Sequence, residues 1–238
     1  MPQSMIKLVR IADVISLINA SCGFLAILVL FLDIVTPYSL KIRLAVTFIF
    51  IGLLADGLDG MIARKKGKGH LGEYIEPMAD MSSLIIAPAF VVSFQYQGTA
   101  SASIPLLLIF LSMILLYTTC GMIRLAAFHP LKNQNAFLGL PASAAACSLL
   151  LVSVFYASLL YILPIICIIS FLMILPISFP KPSLKMNAIA AFLILTSLLL
   201  WDLLYTIGPL SLLLCILLYI FLGPLLQQKE HMEREKNT

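Results

Sequence analysis

The sequence predicts an all-α integral membrane protein, and its composition carries that prediction. Hydrophobic residues make up 61% of the 238 residues and charged residues only 11%, and the mean hydropathy is +1.07. A water-soluble domain carries roughly 25% charged residues. Apolar runs of about twenty residues, the length that crosses a bilayer as a helix, recur along the chain. The composition therefore excludes a water-soluble globular protein.

About eight membrane-spanning helices are predicted within one membrane domain, residues 1–238, since no linker is long or polar enough to separate two domains. A short helix over residues 1–12 is expected to lie on the membrane surface, because Lys7 and Arg10 are mixed with apolar residues. The charged tail, residues 227–238, is expected to fray. The predicted spans are residues 14–34, 42–63, 73–95, 103–127, 138–158, 160–179, 187–205 and 208–226.

The basic residues predict how the chain is oriented in the cell membrane. With eight spans and a cytoplasmic N-terminus, 13 of the 15 Lys and Arg residues fall on the cytoplasmic side, and only Lys41 and Arg43 fall outside. Cytoplasmic loops are enriched in Lys and Arg. Merging two spans near residues 156–163 would place the C-terminal basic residues outside, which the same rule disfavours. We therefore expect both termini in the cytoplasm.

Residues 56–80 hold the densest group of acidic residues. Five of the chain's 11 acidic residues fall in these 25 positions, with long apolar runs on both sides. Carboxylates at the edge of a membrane span are costly unless they pair, bind a cation or line a polar cavity. The segment is therefore expected to hold something charged. The five residues are Asp56, Asp59, Glu73, Glu76 and Asp80.

The spacing of four of these carboxylates predicts a metal site. Asp56 and Asp59 are three residues apart, and Glu76 and Asp80 are four apart, so each pair shares one face of a helix. The loop between the two helices is short, which makes them antiparallel neighbours whose carboxylate faces can converge at the cytoplasmic rim. Hard oxygen ligands suit Mg²⁺ or Mn²⁺, as one ion or as a pair, and such ions bind and polarise phosphate oxygens.

Small residues and an arginine beside the carboxylates predict a ligand that contains phosphate. Gly57, Gly60 and Ala63 remove bulk, so that a large group can approach the backbone. Arg64 offers a guanidinium fork that matches phosphate, and Gly72 opens the next helix where free N–H groups favour an anion. Each feature alone is more often a matter of helix packing or membrane orientation. Their combination in one segment favours the ligand.

These residues resemble the signature of the CDP-alcohol phosphatidyltransferase family, D-x2-D-G-x2-A-R-x(about 8)-G-x3-D-x3-D. Two departures are present. The spacer between Arg64 and Gly72 has seven residues, and position 76 is Glu where the family has Asp, so its carboxylate reaches one methylene further. In this chain the signature reads Asp56, Asp59-Gly60, Ala63-Arg64, Gly72, Glu76 and Asp80.

The resemblance implies six core membrane helices, here followed by two more, together with a homodimer and a two-metal site in a cytoplasm-facing cavity. It also implies transfer of a phosphatidyl group from a CDP-linked lipid to an alcohol. Asp80 would be the general base that takes the proton from the attacking hydroxyl. By the same resemblance the metal ligands would be Asp56, Asp59, Glu76 and Asp80. Gly60, Ala63 and Arg64 would border the CMP moiety, and the predicted CDP site also includes Gly57 and Gly72 from the residue pattern.

Three further stretches resemble the phosphatidylserine and archaetidylserine synthase branch of the family. Residues 17–26 resemble its LLN-x2-CGFLAI pattern, residues 120–129 its CG-x2-RLARFN pattern, and residues 137–146 its F-x-GLP-x2-AAA pattern. This resemblance implies L-serine as the acceptor and CDP-diacylglycerol or its archaeal ether counterpart as the lipid. Ala127 and His129 depart from the branch, which has Arg and Asn at these positions.

Arg124, within an apolar span, needs a partner. The partner is either a substrate anion, namely the serine carboxylate or a substrate phosphate, or a structural ion pair. The same chemistry with inositol, inositol phosphate or glycerol phosphate is an alternative, but a phosphorylated acceptor needs extra cations, for which only Arg124 and Lys132 are candidates. A family member that binds the CDP-linked lipid without turnover is another alternative, supported only by Glu76.

A cation transporter is the alternative from a different functional class. It predicts acidic or polar residues at mid-membrane depth in several spans. The acidic residues of this chain instead cluster at one rim, which favours the transferase. No nucleic-acid partner is expected.

Overall fold

A computed structural model of the protein describes residues 8–66, 71–127, 136–155, 158–181, 183–199 and 207–236. Within these ranges, the side chains of residues 59–66, 136, 184, 199 and 229–236 are outside the description. The described residues form α1 (Ile11–Phe31), α2 (Tyr38–Lys66), α3 (Gly72–Asp80), a π-helical segment (Met81–Ile86), α4 (Ala87–Ala100), α5 (Ile104–Ala126), β1 (Ala136–Leu138), α6 (Ala142–Val154), α7 (Leu159–Ile174), β2 (Ser178–Pro180), α8 (Leu184–Leu199) and α9 (Ile207–Lys236).

The helices confirm the predicted class of all-α membrane protein. Because α3, the π-helical segment and α4 run on without a break, the described residues form eight helices, in the order of the eight predicted spans. Three of them, α6, α7 and α8, are apolar but shorter than 18 residues. The 13 residues of α6 extend over roughly 20 Å, less than the thickness of a bilayer core. The five that are long and apolar enough to cross a membrane are Ile11–Phe31, Tyr38–Leu58, Gly72–Ala100, Ile104–Ala126 and Ile207–Gln228.

The number of spans and the cytoplasmic position of both termini therefore stay predictions. The surface helix predicted for residues 1–12 falls mostly on residues 1–7, outside the described part, and α1 begins at Ile11. At the other end, the polar tail is not frayed throughout, since α9 continues to Lys236. Its last residues are mostly Gln, Lys, Glu and Arg, which are good helix formers.

Large apolar side chains cover much of the protein surface. Ile34 is 93% exposed, Ile104 75%, Leu160 71% and Phe221 70%. In water an apolar surface of this extent would drive aggregation. These side chains instead fit contact with lipid tails, in agreement with the membrane class.

The chain forms two compact units, residues 1–98 and 99–238, and the predicted single domain stays a prediction. In the first unit α1 packs against α2, α3 and the π-helical segment. Small residues make this packing close, as is usual between membrane helices. At Gly23 a Cβ atom would lie 2.7 Å from the Cα of Ser83. Only a glycine therefore lets the backbone of α1 approach the π-helical segment this closely.

The helical register changes directly after Asp80. In the π-helical segment that follows, the N–H of Ala87 donates to the carbonyl of Ser82, five residues earlier. Pro77, which lies inside α3, has no N–H to donate to the helix. Short π-helical insertions are frequent at functional sites. The last carboxylate of the acidic segment thus lies at a local irregularity of the backbone.

In the second unit, α7 packs against α5 and α6, and α9 packs against α6, α8 and β2. The antiparallel pair β1–β2, with Phe137 opposite Phe179, was not predicted. The spans predicted over residues 138–158 and 160–179 both include residues of this pair. Pro176 disfavours helical backbone at Leu175, which is extended, so α7 ends at Ile174.

Gly139 follows β1 and explains the late start of α6. Its φ of +76° belongs to the left-handed region, which suits glycine. A Cβ there would overlap the carbonyl oxygen of Met173. The N–H of Gly139 donates to the carbonyl of Ile177 at 2.8 Å, and α6 begins only after Pro141. The turn therefore holds the strand pair against the end of α7.

Candidate active site

Three of the four predicted metal ligands have described side chains, and all three are half-buried. Asp56 lies on α2, Glu76 lies on α3, and Asp80 is the last residue of α3. Helix α1 packs against both of these helices. Glu73, one turn before Glu76, is exposed. The partly accessible carboxylates thus lie on the two helices that share α1 as a neighbour.

Asp80 is held by an asparagine of α1. The Nδ2 atom of Asn19 donates a hydrogen bond to Oδ1 of Asp80 over 3.1 Å. Asn19 is 1% exposed, so this amide lies in the interior of the first unit. An isolated polar side chain within an apolar helix needs such a partner. The bond fixes one carboxylate oxygen of Asp80 relative to α1.

The other end of the Asn19 amide faces α2. Its Oδ1 atom is buried and has no hydrogen-bond partner among the described residues. A Cβ at Gly52 would lie 2.8 Å from this oxygen and 3.2 Å from the Cβ of Cys22. The missing side chain at Gly52 therefore makes room for Asn19. Helix α2 thereby sets the position from which Asn19 reaches Asp80.

Two of the predicted CDP-binding glycines have different surroundings. Gly57 is exposed, and no atom of the described residues lies within 4 Å of the position its Cβ would take. Packing within the described part of the chain does not require a glycine there, and the space beside the backbone is open to a ligand. Gly72 is buried at the first position of α3.

The remaining predicted residues of the segment are described only as backbone. Asp59, Gly60, Ala63 and Arg64 all lie on α2, but their side chains are outside the described part. Residues 67–70 are also outside it. The contacts that the sequence predicts for these side chains with CDP and metal therefore stay predictions.

The predicted metal site is not formed by the described side chains alone. Among them, no three His, Cys, Asp or Glu residues lie close enough together to hold an ion. The side chain of Asp59, the fourth predicted ligand, lies outside the described part of the chain, so this statement does not cover it. The donor set fits a hard divalent cation, because it consists of carboxylates and three of them are partly accessible.

Arg124 is buried in the second unit, in the last turn of α5, and is 8% exposed. Its Nε donates a hydrogen bond to the carbonyl of Leu140 over 3.2 Å. The guanidinium carbon lies 6.0 Å from the ring centroid of Phe137. Both contacts are with the segment around β1, so the strand pair fixes where the arginine points.

No described carboxylate of the second unit pairs with Arg124. The acidic residues of residues 99–238 all lie outside the described side chains. A buried cation is costly unless it is paired or hydrogen-bonded, and Nε of Arg124 has the carbonyl of Leu140 as a partner. The four acidic residues are Asp202, Glu230, Glu233 and Glu235.

Two residues at these sites were given no role from the sequence. Asn19 lies in the pattern of residues 17–26. The sign in the sequence that it has a partner is that it is a single amide side chain inside an apolar run. Lys181 was counted only as a cytoplasmic charge, yet its Nζ lies 5.5 Å from the ring centroid of Phe137, the ring that Arg124 also faces. Nothing local in the sequence indicates that contact, because Phe137 lies on β1 and Lys181 follows β2.

Comparison with known proteins identifies the family. The profile of the CDP-alcohol phosphatidyltransferase family matches residues 9–177, a range that contains the acidic segment and ends before α8 and α9. Two serine O-phosphatidyltransferases that use CDP-diacylglycerol are similar to this chain. The protein of Methanocaldococcus jannaschii is 30% identical over 74% of this chain and 76% of its own length. The protein of Bacillus subtilis is 31% identical over 68% of this chain and 85% of its own length.

An archaetidylserine synthase of Methanothermobacter thermautotrophicus is similar as well. It is 29% identical over 73% of this chain and 70% of its own length. These relatives confirm the resemblance to the serine branch and the prediction of an enzyme like its members. The profile match covers well over half of the residues, and the chain therefore belongs to the CDP-alcohol phosphatidyltransferase family.

Proposed function

We propose that this enzyme transfers the phosphatidyl or archaetidyl group of a CDP-linked lipid to the hydroxyl of L-serine and releases CMP. One observation carries the proposal. The acidic signature, residues 56–80, lies inside the range that matches the family, and relatives over two thirds or more of the chain are serine transferases or an archaetidylserine synthase. The product is a membrane phospholipid, which suits an integral membrane enzyme.

In the proposed reaction the serine hydroxyl attacks the lipid-bearing phosphorus. A new P–O bond forms to the serine oxygen, and the P–O bond to CMP breaks, so that CMP leaves with the bonding electrons. The hydroxyl proton passes to the Asp80 carboxylate. The hydrogen bond from Asn19 supports this role, because it holds the carboxylate at a fixed position.

We assign one or two Mg²⁺ or Mn²⁺ ions to Asp56, Asp59, Glu76 and Asp80. When bound, such ions supply positive charge to the diphosphate and to the phosphate of the departing CMP. Accessible carboxylates on α2 and α3 support the assignment.

Glycines and an arginine are proposed to hold the nucleotide. Gly57 supports this proposal, since the space beside it is open among the described residues. Gly60 and Ala63 would offer the same small profile along α2, and Arg64 would bind phosphate through its guanidinium. Gly72 would present backbone N–H groups at the start of α3.

Arg124 is proposed to bind an anionic group of the substrates, with the serine carboxylate as the first candidate. Its burial without a described counter-charge supports the proposal. The cytoplasmic orientation of the site rests on the distribution of Lys and Arg, and the homodimer rests on the family resemblance.

The test is CMP release by the purified protein with a CDP-linked lipid and Mn²⁺ or Mg²⁺. Serine, inositol, inositol phosphate and glycerol 3-phosphate are supplied separately. We expect CMP release when serine is the alcohol supplied and none with the other three. Asp80→Asn should lose the release that serine supports. Asp33→Asn is the matched control, because Asp33 is an exposed aspartate that forms an ion pair with Lys41. Release with another alcohol, or wild-type rates in Asp80→Asn, would contradict the acceptor or the site respectively.

A further inference from the structure

The amide of Asn19 meets both of the helices that carry predicted metal ligands. Its Nδ2 donates to Oδ1 of Asp80, at the end of α3, over 3.1 Å. Its Oδ1 faces α2, where a Cβ at Gly52 would lie only 2.8 Å from it. A carboxylate can only accept a hydrogen bond, so the amide presents its NH2 group to Asp80 and its oxygen to α2. One planar group therefore contacts α2 and α3 at the same time.

The oxygen end of this amide is buried without a hydrogen-bond partner among the described residues. Asn19 as a whole is 1% exposed. Burial of an acceptor that has no partner costs free energy, and such a group in a native structure calls for an explanation. An apolar side chain would avoid this cost, but it could not donate to Asp80. The hydrogen bond to Asp80 therefore explains why an asparagine occupies this position.

Gly52 and Asp56 lie on the same face of α2, because they are four residues apart. Gly52 is buried in the contact with α1, and Asp56, about one turn later, is half-buried. The amide of Asn19 thus meets α2 one turn before one predicted metal ligand and meets α3 at another, Asp80. The position of Asp80 relative to the Asp56 face of α2 therefore depends on how closely α2 approaches the amide.

Helix α1 is held in place by contacts other than the one with Gly52. At Gly23 a Cβ would lie 2.7 Å from the Cα of Ser83, so the backbones of α1 and the π-helical segment are in close contact. The hydroxyl of Ser82 also donates to a carbonyl of α1 over 3.3 Å. A methyl group added at Gly52 would therefore displace a side chain more readily than it would displace α1. The nearest side-chain atom is Oδ1 of Asn19.

Displacement of this oxygen would also break the bond to Asp80. Oδ1 and Nδ2 belong to one rigid amide, so the two atoms move together. The bond from Nδ2 is 3.1 Å long, and N–H···O bonds extend to about 3.2 Å, so it has little length to spare. The next atoms near a Cβ at Gly52 are further away, with Cβ of Cys22 at 3.2 Å and the carbonyl oxygen of Asn19 at 3.4 Å.

We propose that Gly52 and Asn19 are a pair of positioning residues for the metal site. Gly52 admits the amide of Asn19 against α2, and the amide fixes Asp80 relative to the Asp56 face of α2. Gly52 thus acts on Asp80 through Asn19, although it has no side chain of its own. This inference rests on the metal ligands of the proposed function and does not depend on which alcohol is the acceptor.

The experiment is a double-mutant cycle on Mn²⁺ binding to the purified protein without substrates, measured from the electron paramagnetic resonance signal of free Mn²⁺. Gly52→Ala adds the methyl group that meets Oδ1, and Asn19→Ala removes the amide. We expect each single variant to bind Mn²⁺ about tenfold more weakly or worse. The double variant should bind within about twofold of Asn19→Ala, because the group that the methyl displaces is then absent.

Gly208→Ala is the matched control. A Cβ there would lie 3.0 Å from the Cα of Ser197, so the change disturbs a close helix contact between α8 and α9 in the second unit. It should lower the melting temperature and leave Mn²⁺ affinity unchanged. Unchanged Mn²⁺ affinity in Gly52→Ala would make Gly52 a packing residue only and overturn the proposal. Losses that add in the double variant would show that Gly52 does not act through Asn19 and would also overturn it.

The double variant decides the matter if Gly52→Ala fails to fold. A double variant that melts no lower than Asn19→Ala would support the proposal, because the overlap at Oδ1 is then gone. A double variant that also fails to fold would overturn it. Absence of Mn²⁺ binding in the wild type would overturn the metal assignment and this inference with it. CMP release with an alcohol other than serine would contradict the proposed acceptor alone.

Discussion

Nδ2 of Asn19 and Oδ1 of Asp80 lie 3.1 Å apart, and this hydrogen bond joins residues that are 61 positions apart in the chain. It connects the interior of α1 to the end of α3, where the π-helical segment begins. Gly52 of α2 leaves the room that the Asn19 amide occupies. Three helices therefore contribute to the position of one carboxylate.

We expect Asn19→Leu to lower kcat for CMP release about 10- to 100-fold, the usual effect of removing a hydrogen-bond partner behind a metal ligand or catalytic group. Leucine is close to asparagine in size, so the packing of α1 is largely kept. The Asp80 carboxylate loses the donor that fixes Oδ1. KM for the CDP-linked lipid should stay within about twofold, because Asn19 is only 1% exposed. Steady-state kinetics measure kcat and KM, and a titration with Mn²⁺ measures the metal concentration that the variant requires.

Ser82→Ala is the matched control for Asn19→Leu. The hydroxyl of Ser82 donates to the carbonyl of Ala20 at 3.3 Å, so it links the π-helical segment to α1. Loss of such a bond in a membrane protein costs roughly 0.6 kcal/mol. We expect a small decrease in thermal stability and unchanged kinetics. Equal losses of kcat in the two variants would mean that Asn19 acts through helix packing and not through Asp80.

Gly57→Ala tests whether the open space on α2 receives the nucleotide. The added methyl group meets no described atom within 4 Å, so the melting temperature should not change. A ligand that fills this space would be displaced, and we expect KM for the CDP-linked lipid to rise about tenfold or more. Gly98→Ala is the control, because Gly98 is also exposed and open. Wild-type kinetics in Gly57→Ala would remove Gly57 from the proposed CDP site.

The helices could be predicted from the sequence, because a long apolar run indicates a segment in contact with lipid. Each segment makes this contact independently of the others. The strand pair could not. Each strand has only three residues, and its existence depends on the left-handed turn at Gly139 and on Pro176, which ends α7. The β-propensity of three residues is too weak to predict a strand when an apolar run, which predicts a helix, continues through the same positions.

The candidate site was predictable in part for the same reason. The carboxylates of residues 56–80 stand out because charge is rare at a membrane span. Asn19 does not, because the cost of its burial is offset by a partner that lies 61 residues away. The shared ring of Arg124 and Lys181 likewise depends on strand register. Local spacing indicates which residues need partners, but tertiary contacts determine the partners.

Gly23→Ala is expected to destabilise the first unit. Its methyl carbon would lie 2.7 Å from the Cα and 2.8 Å from the N of Ser83, both backbone atoms. Side chains cannot relieve this overlap by changing rotamer, so α1 and the π-helical segment must separate. Overpacking typically costs about 1 to 3 kcal/mol. A melting temperature in detergent below that of Gly98→Ala would agree, whereas equal values would contradict the close approach of the two backbones.

Removal of divalent metal should abolish CMP release. The Mn²⁺ concentration that restores release should depend on the length of the side chain at position 76. Glu76→Asp keeps the carboxylate but withdraws it by one methylene from the half-buried position on α3. We expect the Mn²⁺ concentration for half-maximal activity to rise about tenfold, with kcat at saturating Mn²⁺ largely kept, because a displaced ligand weakens metal binding more than it changes the bound state. Glu73→Asp makes the same change at an exposed glutamate one turn earlier and should have no effect. Equal responses of the two variants, or activity that survives a chelator, would remove Glu76 from the metal site.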